Sequence, residues 1–245
     1  MTFDFSFLRK QAKTLVEVDL HSHLIPGIDD GAKDMERTIA LILELQAMGY
    51  KKLITTPHVS DMFPNTTKTI LKGYQELKEE LKKQKIDIEI EVAAEYYADE
   101  TFELLLQEKD ILIFGKEKKY LLFELSYFTR PQELESLIFE IKLAGYTPVL
   151  AHPERYTYFH HDIEEYKELK ATTGVLFQIN LNSIVEYYSK EVAEVSKSLI
   201  NQGLVDFIGS DVHHKRHTKY LQKSLNSSYY KRIFKFNTIL NNSLK

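Results

Sequence analysis

The sequence contains no cysteine among its 245 residues. This absence excludes disulfide bonds, thiolate zinc sites and any catalytic mechanism that uses a cysteine nucleophile. The chain also has no apolar stretch near the roughly 20 residues that a membrane-spanning helix needs. Its N-terminal segment, MTFDFSFLRKQAK, lacks the basic start and apolar run of a signal peptide. We therefore expect a protein that does not span a membrane and that resides in the cytoplasm.

Acidic residues are missing from the end of the chain. No Asp or Glu follows Asp211, whereas residues 212–245 contain six Lys and two Arg. The formal net charge is nonetheless −4, so the rest of the chain is acidic and lacks the broad basic stripe of a nucleic-acid-binding protein. We interpret the basic end as a helical segment that packs on the body, rather than as a docking surface for an acidic partner or a lipid. The apolar residues expected to pack there are Ile233, Phe234, Phe236, Ile239 and Leu240.

The nucleotide-binding fingerprints G-x-G-x-x-G and G-x-x-x-x-G-K-[ST] are absent as well. The chain instead alternates short apolar runs, typical of buried parallel strands, with amphipathic helical patterns. The seven predicted strands are Leu15–Leu20, Lys52–Thr56, Ile88–Ala93, Tyr120–Leu125, Thr147–Ala151, Val175–Asn180 and Val205–Gly209. This pattern predicts a single α/β domain over residues 1–245. Its strands are expected to form a barrel or a strongly curved sheet, with a flat doubly wound sheet as the alternative.

Residue types that bind metals recur at the ends of these strands. Six of the seven predicted strands deliver a His, Asp or Glu at the same end, which in βα-barrels is the end where active sites are assembled. Carboxylates crowded into one mouth are costly unless cations neutralise them. The candidates at these strand ends include His21, His23, Asp30, His58, Glu95, Glu124, His152, Asp211 and His213. Imidazole and carboxylate ligands without sulfur predict a site for several divalent ions and suit manganese, iron and zinc alike.

The segments HSHLIPGIDDG, TTPH, AAEYY, LLFELS, AHPERY and GSDVH occur in this order along the chain. In type and spacing they resemble the PHP (polymerase and histidinol phosphatase) superfamily. They are most similar to its bacterial protein-tyrosine-phosphatase branch, which is associated with capsule and exopolysaccharide synthesis. The resemblance extends from about Leu15 to His213. It implies a distorted (β/α)7 barrel, TIM-like in architecture, that holds three divalent metal ions, usually manganese.

The resemblance also implies a role for each candidate ligand. The first ion would lie among His21, His23, Glu95 and Asp211. Glu95 would bridge it to a second ion, which Glu124 and His152 also hold, and Asp30, His58 and His213 would bind the third ion. Arg155 falls where the family has an arginine that grips phosphate. His58 and His213 are predicted to act in catalysis as well as in metal binding.

These assignments predict a cysteine-independent protein tyrosine phosphatase. A hydroxide that bridges two metal ions would attack phosphorus while Arg155 neutralises the phosphoryl charge. The expected substrate is a protein that bears phosphotyrosine, in particular a cytoplasmic tyrosine kinase of polysaccharide export. Two alternatives stay open: a histidinol-phosphatase-like enzyme for small phosphate esters, and a non-catalytic module that binds the kinase.

Several other residues near the candidate ligands allow two interpretations. An aromatic rim that stacks on the substrate and simple loop packing are equally compatible with one group of aromatic residues. This group comprises Tyr96, Tyr97, Tyr156, Tyr158 and Phe159. Arg216 and His217 follow the last ligand and could contact phosphate, but we expect them to lie on the surface.

Overall fold

A computed structural model describes residues 12–160 and 162–245. Its strands, in chain order, are β1 (Val18–Asp19), β2 (Lys52–Thr55), β3 (His58–Val59), β4 (Glu89–Val92), β5 (Glu95–Tyr97), β6 (Tyr120–Glu124), β7 (Thr147–Ala151), β8 (Leu176–Asn180) and β9 (Phe207–Gly209). Its helices are α1 (Met35–Ala47), α2 (Thr67–Lys83), α3 (Glu100–Glu108), α4 (Leu134–Leu143), α5 (Ile163–Thr173), α6 (Lys190–Asn201), α7 (Lys215–Asn226) and α8 (Ser228–Phe236). Most of the N-terminal segment on which the expected lack of a signal peptide depends lies outside the described residues. The single domain over residues 1–245 likewise stays a prediction.

The strands form two parallel sheets, ordered β1-β2-β4 and β3-β5-β6-β7-β8-β9. The second and third predicted strands each divide in two, at Thr56-Pro57 and at Ala93-Ala94, and pass from the smaller sheet into the larger one. Pro57 has no N–H to donate to a ladder, so a break at this point is expected. Thr56 instead donates its N–H to the carbonyl of Ser22 at 2.7 Å. With β2 and β3 counted as one strand position, and β4 and β5 as another, seven strand positions follow one another around the fold, as the sequence predicts.

The two ends of this strand series meet beyond β1 and β9. Ser22 and Val212 form a parallel bridge. Asp211 donates its N–H to the carbonyl of His21 at 2.8 Å, and His23 donates its N–H to the carbonyl of Val212 at 3.0 Å. The prediction of an α/β fold with a barrel-like series of parallel strands is thus confirmed. The contact has a direct functional consequence, because it places the chain after β1 beside the chain after β9.

Most strands are buried on both faces because helices cover the outside of the sheet. In β6, Leu121, Leu122 and Phe123 are fully buried. Side chains cap several of the helices: Asp34 accepts a hydrogen bond from the N–H of Arg37 before α1, and Asp99 accepts one from the N–H of Phe102 before α3. In the part of the chain that the structure describes, no helix is both long and apolar enough to cross a bilayer.

The basic end of the chain forms α7 and α8 and packs on the barrel. Ile233 is fully buried, and Ile239 and Leu240 pack against the core. Phe234 is half-buried, whereas Phe236 is 40% exposed, so the prediction that it belongs to the core is wrong. It is the last residue of α8, where the helix turns its final side chain toward solvent. The interpretation of this segment as a packed helical end holds for the other four residues.

Candidate metal centre

All nine predicted ligands converge at the mouth formed by the carboxyl ends of the strands. They lie close enough to form four overlapping groups in which the ligand atoms are within 4.8 Å of one another. The groups are His23, Asp30, His58 and His213; His21, His152 and Asp211; His21, His23 and Glu95; and His58, Glu95 and Glu124. Glu95 is fully buried at the centre. Residues that are up to 192 positions apart in the chain, His21 and His213, thus share one site.

The innermost part of the site contains His21, His23, Glu95 and Asp211. The Nε2 atom of His21 lies 3.1 Å from Glu95 Oε2 and 3.5 Å from Asp211 Oδ1. The Nε2 atom of His23 lies 3.4 Å from the same Glu95 oxygen and 3.5 Å from the same Asp211 oxygen. Two imidazole nitrogens therefore face the same two carboxylate oxygens, as the alternation of side chains in an extended segment predicts for His21 and His23.

On one side of this pair, Glu95 also reaches the predicted ligands of a second ion. His152 Nε2 lies 2.9 Å from Glu95 Oε1 and 3.7 Å from Glu124 Oε2. His58 approaches the same carboxylates, with its Nδ1 atom 3.0 Å from Glu124 Oε1 and 3.2 Å from Glu95 Oε2. The central position of Glu95 suits a bridging ligand.

On the other side, Asp30 lies between two histidines. Its Oδ1 atom is 3.2 Å from His213 Nε2 and 3.5 Å from His58 Nε2. His58 therefore offers one ring nitrogen to Asp30 and the other to Glu95 and Glu124. This double contact leaves the division of the nine ligands among three ions a prediction.

A chain of buried amides fixes the orientation of His21. Asp211 can only accept, so Asn180 donates its Nδ2 to Asp211 Oδ2, at 2.6 Å. Gln178 then donates its Nε2 to Asn180 Oδ1 at 2.9 Å, which leaves Gln178 Oε1 to accept from His21 Nδ1 at 2.7 Å. In the neutral ring the Nε2 lone pair of His21 consequently points at the carboxylates, an arrangement that is repulsive unless a cation lies between them.

Asp29 orients the second histidine in a similar way. Its Oδ2 atom lies 2.8 Å from His23 Nδ1, so that ring too presents Nε2 to the centre. Sequence reasoning selected Asp30 and missed Asp29, although both belong to the quoted D-D-G motif. Gly31 completes this loop: a Cβ atom there would lie 2.5 Å from the carbonyl oxygen of His23 and 2.9 Å from Asp29 Oδ1. Only glycine fits so close to the histidine backbone.

Two candidate ligands have a backbone conformation that side chains rarely adopt. His152 has φ +34° and Asp211 has φ +49°, both in the left-handed region. Residues other than glycine hold such conformations at a cost of about 1–3 kcal/mol, and they cluster at active sites. For Asp211 the two backbone bonds that join the chains after β1 and β9 maintain the strained geometry.

The buried carboxylates at the centre favour positive charge on the groups around them. Burial alone would lower the pKa of His21, but the carboxylates of Glu95 and Asp211 raise it to about 9. Burial would raise the pKa of Glu95, yet His21 and His58 hold it well below its usual range. Protons and metal ions therefore compete for the same nitrogen atoms. The sulfur-free donor set, the inward Nε2 atoms and the negative charge of four carboxylates together fit divalent metal ions.

Arg155 lies at the edge of the centre and lines a cavity of about 280 Å³ together with Asp211 and His213. Its guanidinium carbon is 4.4 Å from the ring centroid of Tyr127 and 4.3 Å from that of Tyr188. Its Nη1 atom is 3.4 Å from Asp211 Oδ2. The two aromatic faces hold a planar cation beside the candidate ligands, where it can meet an anion with two parallel hydrogen bonds.

The two tyrosines also contact the ligands themselves, and sequence reasoning missed both. The hydroxyl of Tyr127 donates to Glu124 Oε2 at 3.1 Å, and the hydroxyl of Tyr188 donates to Asp211 Oδ2 at 3.0 Å. Tyr127 follows Glu124 by three residues, which was a usable signal. Tyr188 follows β8, the one predicted strand that delivers no metal-type residue, so no sequence pattern indicated it.

Most of the aromatic residues that follow ligand positions are packing residues. Tyr96, Tyr156 and Phe159 are buried, with exposed fractions of 1%, 0% and 0%. The hydroxyl of Tyr156, for example, donates to the carbonyl of Ala151 at 2.9 Å. Tyr97 is half-buried and lines a second cavity at the mouth, whereas half-buried Tyr158 packs against the core. Of the five residues, Tyr97 alone has a position compatible with the aromatic rim, which stays a prediction.

The residues after the last ligand differ from each other. Arg216 is exposed, as predicted. His217 is only 7% exposed, so its predicted surface position is wrong. Its Nδ1 atom accepts a hydrogen bond from the N–H of His213 at 2.9 Å, because the first turn of α7 folds back on the preceding loop. His217 thereby supports a candidate ligand.

Similarity to known proteins agrees with this geometry. The sequence model of the family described as "Capsular polysaccharide synthesis, CpsB/CapC" matches residues 17–240. Tyrosine-protein phosphatase YwqE of Bacillus subtilis is 28% identical over 200 residues, which cover 80% of this chain and 77% of YwqE. Tyrosine-protein phosphatase CpsB of Streptococcus pneumoniae is 28% identical over 203 residues, which cover 80% of this chain and 82% of CpsB.

Solved structures share the fold. A structure described as belonging to metal-dependent tyrosine phosphatases, YwqE from Bacillus subtilis and CpsB from Streptococcus pneumoniae, matches with a TM-score of 0.78 and 25% identity. The match covers 89% of this chain and 90% of that one. An amidohydrolase from Mycoplasma synoviae matches with a TM-score of 0.53 at 13% identity, over 95% of this chain and 87% of the other. At that identity the likeness concerns the fold alone.

Proposed function

We propose a catalytic function for this chain, which belongs to the capsular polysaccharide synthesis CpsB/CapC family. It is a metal-dependent phosphatase that hydrolyses phosphotyrosine on proteins. The observation that carries the proposal is the convergence of five imidazoles and four carboxylates on one buried centre beside a stacked arginine. The names of the relatives, tyrosine-protein phosphatases, supply the substrate class.

The centre holds three divalent ions in this proposal, with manganese as the first choice and iron or zinc as alternatives. As the family resemblance implies, the first ion would be held by His21, His23, Glu95 and Asp211, the second by Glu95, Glu124 and His152, and the third by Asp30, His58 and His213. Such ions supply Lewis-acid chemistry: they lower the pKa of water toward neutrality and withdraw charge from phosphoryl oxygens.

The chain's own residues bind and orient the substrate. Arg155 grips two phosphoryl oxygens with parallel N–H bonds, and Tyr127 and Tyr188 keep its guanidinium plane in place. His58 and His213 line the same cavity as Arg155, and in this proposal they contribute to catalysis through the ion that they would hold, whose charge would stabilise the leaving tyrosine oxygen. Because tyrosine has a pKa of about 10, its phenolate needs less protonation than an alkoxide would.

The physiological partner in this proposal is a cytoplasmic tyrosine kinase domain of polysaccharide export, and the protein acts in the cytoplasm. The family's link to capsular polysaccharide synthesis supports such a partner. The two alternatives, a small-ester phosphatase and a non-catalytic kinase-binding module, make different predictions. The first prefers histidinol phosphate to a phosphotyrosine peptide, and the second turns over neither.

Metal removal and restoration test the proposal. The purified chain is chelated, reloaded separately with manganese, iron or zinc, and assayed on a phosphotyrosine peptide and on histidinol phosphate. We expect loss of turnover on chelation, recovery with at least one metal, and preference for the peptide. Asp211→Asn and His152→Ala should lower kcat by about 10²–10³ or more, the loss expected when charge stabilisation of the transition state is removed. Exposed Gln75→Leu serves as the control. Peptide turnover that survives exhaustive chelation would falsify the proposal.

A further inference from the structure

A second cavity, of about 620 Å³, opens directly beside the metal centre. It shares Asp30, His58, Tyr127 and Arg155 with the first cavity, so the two are continuous. Away from the centre its lining includes two carboxylates and four apolar or aromatic side chains. These residues, named here the flanking groove, are Asp61, Met62, Phe63, Tyr97, Asp99 and Phe128.

Hydrogen bonds shape both loops of the flanking groove. Ser60 donates its N–H to the carbonyl of Phe63 at 3.1 Å and accepts through its Oγ from the N–H of Phe63, also at 3.1 Å. Asn65 ties this turn to the site, because its Nδ2 donates to the carbonyl of His58 at 2.9 Å. Opposite it, Ser126 Oγ accepts from the N–H of Thr129 at 3.2 Å and forms a turn that displays Phe128. The groove is therefore preformed.

Two large apolar side chains on these turns face solvent. Met62 is 81% exposed and Phe128 is 80% exposed. Phe63, by contrast, stacks on the candidate ligand His58, with ring centroids 5.4 Å apart. Large apolar side chains displayed together beside a reactive centre mark a binding surface.

The charge of the flanking groove indicates which kind of charged group it favours beside an apolar group of the substrate. The backbone N–H of Asp61 donates to Asp99 Oδ2 at 3.3 Å, which brings the two acidic residues together on the rim. Among the described residues that line the second cavity, Arg155 alone carries a lysine or arginine charge, and it faces the metal centre. The rim therefore favours a positive charge.

We propose that the flanking groove binds the polypeptide beside the phosphotyrosine, and thereby selects proteins over small phosphate esters. An apolar side chain of the substrate packs on Met62 and Phe128, and a basic side chain pairs with Asp61 and Asp99. This inference rests on the proposed function, since it supposes that phosphotyrosine occupies the adjoining centre. A small ester reaches only the first cavity and gains nothing from the groove.

The test compares two classes of substrate in two matched variants. Phe128→Ser removes an exposed phenylalanine from the groove, and Phe139→Ser removes one that is 63% exposed on α4, outside both cavities. For Phe128→Ser we expect kcat/KM on a phosphotyrosine peptide with an apolar neighbour to fall about tenfold, mainly through KM. Turnover of p-nitrophenyl phosphate should stay within about twofold of the parent, since that ester does not use the groove. Phe139→Ser should change neither rate.

A second comparison addresses the charge. Paired peptides carry either lysine or glutamate beside the phosphotyrosine, and we expect the parent to prefer lysine and Asp61→Asn to lose part of that preference. Equal losses on the peptide and the small ester in Phe128→Ser, or no loss on the peptide, would overturn the inference. So would a parent enzyme that does not distinguish the two peptides. A parent chain that hydrolyses neither peptide nor ester after metal loading would instead refute the proposed function.

Discussion

Gln178→Leu should weaken metal binding although Gln178 is not a predicted ligand. The side chain is fully buried, and its Oε1 atom accepts from His21 Nδ1 at 2.7 Å. Leucine has a similar size but accepts no hydrogen bond, so His21 loses the contact that directs its Nε2 lone pair to the centre. Loss of such an outer contact typically costs 10–100-fold in metal affinity, which corresponds to about 1.4–2.7 kcal/mol.

The same substitution should also destabilise the protein in the presence of a chelator. It leaves the Nδ1–H of His21 and the side-chain Oδ1 of Asn180 without their buried partner, at a cost of about 1–3 kcal/mol. In a chain of this size each kcal/mol lowers Tm by about 2–4 °C. Metal ions added to the variant should raise Tm less than in the parent, because weaker binding to the folded state gives less stabilisation.

Calorimetric titration of the chelated protein with manganese measures the affinity, and thermal unfolding with and without metal measures the stability. Gln75→Leu is the matched control, since it makes the same chemical change on the exposed face of α2. An affinity of Gln178→Leu within twofold of the parent would refute the orienting role of the amide chain. A loss of Tm with unchanged metal affinity would show that Gln178 contributes to packing only.

Two further substitutions test the loops around the centre. Burial raises the pKa of Glu154 to about 7 from 4.5, so its contribution to stability is present below pH 4.5 and is lost as the pH rises through 7. Between pH 4.5 and pH 8, the free energy of unfolding of Glu154→Gln, measured in urea, should therefore rise by about 3 kcal/mol relative to that of the chelated parent. A difference between the two proteins that does not vary with pH would contradict this. Gly31→Ala places a Cβ atom 2.6 Å from His23 Cβ, so we expect both Tm and manganese affinity to fall. In the control Gly145→Ala, the added Cβ meets no atom within 4 Å, and only Tm should fall. A manganese affinity of Gly31→Ala equal to that of the parent would argue against a role for Gly31 in positioning the loop.

Much of the fold could be predicted from patterns that depend on neighbours along the chain. Apolar runs such as Thr147–Ala151 became strands at the predicted residues, because a strand that is buried on both faces must be apolar throughout. The divisions at Thr56-Pro57 and Ala93-Ala94 were not predicted, since hydrogen bonds to other strands determine where a strand changes sheets. Phe236 was wrongly placed in the core because helical spacing does not show where a helix leaves the body.

The candidate ligands were predictable for a similar reason. In a parallel barrel every strand ends at the same rim, so His and carboxylate residues at strand ends are brought together whatever the details of packing. The residues that orient them were not predictable in this way. Gln178, Asn180 and Tyr188 come from the one predicted strand without a metal-type residue and from the loop after it, and their role depends on contacts with residues far away in the chain.

By itself, the sequence determined the absence of thiol chemistry, the order of strands and helices, and the presence of His, Asp and Glu residues at one rim, because these follow from composition and from local periodicity. The tertiary structure decided that the chains after β1 and β9 meet, that an amide chain orients His21, and that an apolar groove adjoins the centre. These features depend on contacts between segments that are far apart in the chain and that only the tertiary fold brings together. Local patterns carry no information about such contacts.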